Sequence, residues 1–433
     1  MPTPFPTYHR PSGWNALATP HQRHSSAPLQ KTYRYAIIGS GFTGVAAARR
    51  LAELNPDEEI LLLDANLVGE GSSGRNSGFL ISTPHNQSMS GRHKANQVAR
   101  KQIQISHAGR TQLLALIQEH NIDCQWNPIG KYNAAATPTG AAALKQNIEQ
   151  LRSWDVEVEV LSSEELRDRF GTDYYQYGYR TSHNVFVQPA SLIHGLVDSL
   201  PENVTLKEQT PVLALKAENQ QYRLQLPDTT IKAHTVILAN NGFAKSLGIL
   251  KSRLVTIYTY AGLTPELDPQ ELAAHGTDPE WGIIPANRLG TTLRKYNNQR
   301  FMVRSSYSYE KELSPTKAQS ILQQLYKNRY PHLARHDFEY FWGGATALTR
   351  NGAYYFGQIK KGLYAAVGCN GGGVLKGTAY GKLLAELSMG YDSSLLRDAL
   401  SLTQPSWLPP EPIRRVAIQS AICYQRQRAG LER

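Results

Sequence analysis

The stretch Tyr33–Ile38 followed by Gly39-Ser40-Gly41-Phe42-Thr43-Gly44 constrains the fold of this 433-residue chain more than any other. An apolar run stops at a glycine turn. Then comes VAAARRLAEL, Ala- and Leu-rich with helical periodicity, which Asn55-Pro56-Asp57 ends. Glu59–Leu63 is the next apolar run, and it closes on Asp64. Strand, glycine turn, helix and strand thus follow within about 30 residues. A GxGxxG alone carries little weight, but in this setting it is a dinucleotide-binding signature. Gly39 permits the tight turn, Gly41 lets backbone approach a pyrophosphate, and Gly44 lets the helix pack on the strand. Phe42 and Thr43 open a helix whose free N–H groups face the phosphates. Asp64, with Ala65 beside it, is placed to accept hydrogen bonds from both ribose hydroxyls, and its charge disfavours a 2′-phosphate.

Composition narrows the partners. The net charge is +11, but Lys and Arg are scattered without a run of five, so no nucleic-acid partner is expected. Three cysteines without a CxxC argue against a metal site and fit a reducing cytoplasm. No apolar run suggests a membrane span, and the opening MPTPFPTYHRPSG lacks a signal-peptide core. Residues 1–30 read as an extended arm or partly ordered tail.

Two further glycine-rich signatures follow. The first is Asn66-Leu67-Val68-Gly69-Glu70-Gly71-Ser72-Ser73-Gly74-Arg75-Asn76-Ser77-Gly78-Phe79. The second is Val367-Gly368-Cys369-Asn370-Gly371-Gly372-Gly373-Val374-Leu375-Lys376-Gly377, a strand, a glycine loop and a helix start. With Gln188-Pro189-Ala190, Thr210-Pro211-Val212 and Val236–Gly242, they make nearly the whole chain resemble one superfamily of FAD enzymes. It is that of D-amino-acid oxidase, glycine oxidase and sarcosine oxidase, and within it the gamma-glutamylputrescine-oxidase-like branch.

The resemblance implies that Ser73, Gly74, Arg75, Asn76 and Ser77 pass along the cofactor phosphates, with Arg75 able to neutralise their charge. It places Val212 against the adenine ring and Gly242 on the return to the cofactor. Asn240 departs from the small or hydroxyl residue expected there. Asn370, Gly371, Gly372 and Gly373 stand where the family has SGHG, so the imidazole is missing. With Val374 and Leu375 they aim a helix N-terminus at the flavin pyrimidine, where reduction leaves negative charge. The family's lysine after this loop matches Leu375, with Lys376 one place out. The family's tethering cysteine lies upstream of the glycine loop, and Ala345–Thr349 has none. Cys369 therefore reads as a small structural residue and the FAD as non-covalent.

The substrate face is drawn from a second sheet. Tyr258 and Tyr260 alternate on one strand and either face the flavin or belong to the core, and Trp342 walls the pocket or fills the core. A hairpin turn centred between Asn298 and Gln299 pairs Tyr296 with Phe301 and Arg294 with Val303, on which Arg294 and Arg304 take opposite faces. A one-residue slip would instead pair the two arginines directly. Arg294, in a position resembling the sarcosine oxidases' oxygen-activating lysine, is favoured for the active site over a solvated strand position. His85 follows the flavin-proximal loop and reads as a loop histidine.

The expected fold is α/β: a Rossmann-type FAD-binding domain from 31–90, 185–250 and 345–400. A substrate domain on a mixed or antiparallel sheet comes from 91–184 and 251–344, and a linker and helix from 401–433. The resemblance implies oxidation of a C–N bond in a small amine, an amino acid or a gamma-glutamylated amine. Hydride passes to flavin N5, and the imine hydrolyses to a carbonyl product. Oxygen or a respiratory carrier takes the electrons. A C–OH oxidoreductase, a monooxygenase and a non-catalytic flavin-binding protein stay open at this point.

Overall fold

A computed structural model describes residues 4–23, 27–84, 92–333 and 335–433. Two eight-stranded sheets form its frame. The first runs in the order Tyr355–Lys360, Leu363–Val367, Thr230–Leu238, Thr32–Ile38, Ile60–Leu63, Val204–Lys207, with Ala214–Glu218 and Gln221–Gln225 attached to the side. From Leu363–Val367 to Val204–Lys207 every pairing is parallel. Ile60–Leu63 and Leu363–Val367 are buried along their whole length, because helices cover one face and the Gln221–Gln225 strand with the Asn241–Leu247 turn covers the other. The register sets Ile38 beside Leu63 and Leu238, and Leu238 beside Ala365. The carboxyl ends therefore share one edge, where α/β sheets bind ligands.

Helices Phe42–Leu54 and Gly373–Ser388 cross beside that edge. A Cβ on Gly381 would lie 2.1 Å from the Thr43 carbonyl oxygen, and one on Gly377 2.7 Å from Thr43 Oγ1. Only hydrogen at both positions lets the two helix starts come this close.

The second sheet runs Tyr340–Leu348, Val255–Leu263, Arg300–Tyr309, Thr292–Tyr296, Trp281–Pro285, Lys131–Ala135, Tyr177–Thr181, Glu159–Leu161. It is antiparallel except where Trp281–Pro285 meets Lys131–Ala135. Its back face holds an aromatic core that includes Tyr132, Tyr258, Tyr260, Trp281 and Phe301.

Two expectations are corrected here. The hairpin turn has three residues, Asn297-Asn298-Gln299, with φ of 50° and 46° at the two asparagines. Tyr296 pairs with Arg300, Arg294 with Met302 and Thr292 with Arg304, a slip opposite to the alternative considered. Arg294 and Arg304 consequently share one face. The described part of the N-terminal arm, expected as extended or partly ordered, is also not extended throughout. It forms the helix Gly13–Leu17, and Trp14 is fully buried against Trp342, Tyr296 and Met302.

Candidate active site

Between the parallel sheet's carboxyl edge and the front face of the second sheet lies a cavity of about 1350 Å³. Gly39, Ser40, Gly41, Phe42, Thr43, Asp64 and Ala65 line one end together with Val212. Gly39 has φ +107°, a conformation glycine tolerates freely. Gly44 stays outside the wall and packs on the Gly39 carbonyl. Asp64 Oδ2 accepts from Ser40 N (2.7 Å) and Ser40 Oγ (2.8 Å), and Oδ1 accepts from Asn66 N (2.9 Å). A carboxylate offers about four acceptor sites. Roughly one therefore remains for a ligand hydroxyl, not the pair expected from sequence. Burial raises the Asp64 carboxyl above the usual carboxylate range despite those bonds. A ligand donor there would favour the charged form.

The Gly69–Gly78 loop wraps the next part of the wall. Ser73 Oγ accepts the Phe42 N–H (3.2 Å) and lies over Gly41, where a Cβ would come within 2.7 Å of it. Asn76 is a loop organiser: its amide nitrogen donates to Ser73 O (2.6 Å), and its Oδ1 accepts from Gly78 N (2.9 Å). Arg75 departs from expectation. Its guanidinium pairs with Glu70, donates to the carbonyls of Arg10 and Gly343, and lies 3.7 Å from the Tyr8 ring centroid. That charge clamps the N-terminal arm to the loop rather than standing free for phosphate. Gly74 packs on Gly69, and Ser77 borders the cavity.

Asn370, Gly371, Gly372, Gly373, Val374 and Leu375 line the far wall. Asn370 Oδ1 accepts from Thr349 N (2.9 Å), which ties the loop to the second sheet. The Asn241 side chain accepts from Gly368 N (3.0 Å) and donates to Cys369 Sγ (3.2 Å). Gly242 faces Thr256 and Ala347 outside the wall. Neither helix facing the cavity has a side-chain cap at its start, Gly41 or Gly372. Two sets of N-terminal N–H groups thus converge on one space. Lys376 also lines it, with burial pulling its ammonium down to about 8.

The floor is the front face of the second sheet. Trp342 pairs with Ala261, Ala261 with Arg304, Arg304 with Thr292, and further along Ile284 with Asn133 and Asn133 with Tyr179. All border the cavity. On the strand Val255–Leu263 this face carries Ile257, Thr259 and Ala261. Tyr258 lies behind in the core, and Tyr260 hydrogen-bonds Ser308 (2.7 Å) and the Leu313 N–H. Tyr258 thus takes the core alternative, whereas Tyr260 still borders the cavity with its hydroxyl engaged by Ser308 and Leu313.

Trp342 is 1% exposed, and its indole N–H donates to Arg75 O (3.2 Å). Arg294 does not border the cavity. It is fully buried, paired with Glu280 (2.7 Å), and donates to Ser77 O (3.2 Å) and Val187 O (2.8 Å). Trp14 and Phe186 cover it. Arg304 reaches the cavity instead, donating to the Tyr307 hydroxyl (2.9 Å). Sequence reasoning also missed Lys131, which borders the cavity. His85 lies outside the described residues.

This architecture is shared. The chain belongs to the FAD dependent oxidoreductase family (DAO), matched over residues 34–387. It is 24% identical to "Probable oxidoreductase OrdL" of Rhizobium meliloti, covering 83% of this chain and 84% of that one. It is 23% identical to the gamma-glutamylputrescine oxidoreductase of Escherichia coli, covering 89% and 90%. Glycine oxidase from Geobacillus kaustophilus has a similar fold, with TM-score 0.73, 18% identity and coverage of 87% and 100%. The chain is accordingly an FAD-dependent oxidoreductase. Its residues fit that cofactor: an uncapped helix start at the glycine turn, one open acceptor site on Asp64, and a second uncapped helix start across the same cavity.

Asp64→Ala should raise the FAD dissociation constant roughly ten- to a hundredfold, from a charged hydrogen bond of about 1.5–3 kcal/mol. It also leaves the Ser40 and Asn66 N–H groups without their acceptor. Flavin fluorescence after dialysis measures this, and wild-type retention of flavin would refute the ribose assignment.

Proposed function

We propose that this protein oxidises a C–N bond of an amine or amino acid, with FAD held non-covalently as the hydride acceptor. The observation that carries the reading is the absence of a ready base. Among the described residues, the cavity wall contains no histidine, and Asp64 at the nucleotide end is its one carboxylate. Burial lowers Lys131 and Lys376 to about 8, so the ammonium form still predominates at neutral pH. Burial raises the Tyr179, Tyr260 and Tyr354 hydroxyls, which makes them poor bases. An alcohol needs a base to remove its hydroxyl proton as hydride leaves. An amine can shed its proton to water before it binds.

Each wall residue then has a plain task. Trp342 and Ile257 present apolar surface and exclude water. Arg304 holds an anionic group of the substrate. The uncapped start of Gly373–Ser388 stabilises negative charge at its mouth. The names of two similar proteins, a gamma-glutamylputrescine oxidoreductase and a glycine oxidase, support nitrogen substrates.

Anaerobic titration with amines, amino acids, gamma-glutamylated amines and 2-hydroxy acids tests the reading. Nitrogen compounds should bleach the flavin, and kcat/KM for a simple monoamine should climb with pH towards the amine's own pKa. Faster bleaching by a hydroxy acid would sink the proposal. Acid precipitation should leave flavin in the supernatant. Cys369 is the one cysteine on the wall, and its sulfur is engaged by Asn241 and Thr346. Flavin carried down with the pellet would contradict the non-covalent assignment.

A further inference from the structure

Lys131 is a buried ammonium without a counter-charge. It is 6% exposed and borders the cavity. Its one hydrogen-bond partner among the described residues is the neutral Asn133 Oδ1, and the Tyr179 ring lies 5.9 Å away. Burial alone lowers it to about 8. His183, within the field of Lys131, stays neutral, because burial and the Lys131 and Arg110 charges bring it to about 4. Charges buried in proteins are normally paired, since leaving water unpaired is costly.

The whole wall shares this imbalance. Arg75, Lys131, Arg288, Arg304, Arg350 and Lys376 stand against Asp64 alone. Glu70 already neutralises Arg75. Lys131 shares the front face with Asn133, two residues on, and the Asn133 row leads through Ile284 and Thr292 to Arg304. Three inter-strand gaps separate the Lys131 and Arg304 strands, about 14 Å.

We propose that Lys131 is an oxyanion subsite at the far end of the cavity, so that the substrate carries a carboxylate well beyond the group held by Arg304. This deepens the proposed function and rests on it for the word substrate. The class it selects is an elongated, acidic amine or amino-acid derivative rather than a short neutral amine. Asn133 orients the ammonium. Tyr179, whose oxygen accepts from Asn147 Nδ2 (2.6 Å), keeps its own proton to donate nearby.

The test uses flavin-loaded protein and calorimetric titration with succinate, adipate, suberate and sebacate. Affinity should rise with chain length, at least tenfold from succinate to the member that spans both cations. Lys131→Met and Lys131→Gln should abolish the length dependence and leave succinate binding unchanged. Arg304→Met should weaken every member. Lys131→Met should melt no lower than the wild type, because an apolar chain replaces an unpaired buried charge. Equal affinities across the wild-type series would overturn the subsite. So would a length dependence that survives in Lys131→Met, or a lower melting temperature with unchanged anion binding. Binding needs no turnover, so failure of every amine to bleach the flavin would sink the proposed function and leave this result standing.

Discussion

Replacing Gly44 by alanine is expected to abolish FAD binding and most of the folded yield. The added Cβ would lie 1.7 Å from the Gly39 carbonyl oxygen and 2.9 Å from its carbon, both backbone atoms of the turn. Helix Phe42–Leu54 cannot retreat, because the Thr43 carbonyl already presses on Gly381, 2.1 Å from where its Cβ would stand. Strain of this kind exceeds the about 1–3 kcal/mol of ordinary overpacking. The ratio of flavin to protein absorbance and the thermal melt read the result. A yellow Gly44→Ala protein with a wild-type melt would show that this contact does not set the helix position.

Arg294→Met should cost about 3–5 kcal/mol of stability, the usual consequence of removing one partner of a buried ion pair. Glu280, 11% exposed at its side chain, would keep its bond from Asn127 (2.7 Å) but lose the guanidinium. The Ser77 and Val187 carbonyls would lose their donors too. Arg304→Met should behave oppositely: an unchanged denaturation midpoint and weaker binding of acidic ligands. Among the described residues Arg304 has no carboxylate partner, so its removal strands no charge. Denaturant titration of both variants separates the two roles. An unchanged midpoint in Arg294→Met, together with a KM effect confined to acidic substrates, would return Arg294 to the active site.

The exchange of these two arginines marks where sequence reasoning stops. Strand alternation assigns residues to two faces but says neither which face meets a cavity nor which residues pair. A turn of three residues instead of two or four moves every cross-strand partner. Here two asparagines in the left-handed region make the three-residue turn. The choice left open for Tyr258 and Tyr260, flavin or core, was decided in the same way. Their period was legible, yet the aromatic core behind the sheet claimed that face and left Ile257 and Thr259 to the floor. Trp14 offered no local sign at all. Its burial depends on Trp342, Tyr296 and Met302, hundreds of residues away in the chain.

By itself, then, the sequence determined what rests on backbone steric limits and near neighbours. These are the Gly39–Gly44 turn between strand and helix, Asp64 at the end of the next strand, and the glycine loop leading into the helix at Gly373. Such features need only a few consecutive residues, and the turns they make admit few residues other than glycine. The tertiary structure alone decided which charges stand free. Arg75 is spent on Glu70 and Arg294 on Glu280, while Arg304 and Lys131 face the cavity without a carboxylate. All four are basic residues in a chain of net charge +11. Pairing between distant segments, which composition and periodicity do not encode, separates the struts from the groups available to a substrate.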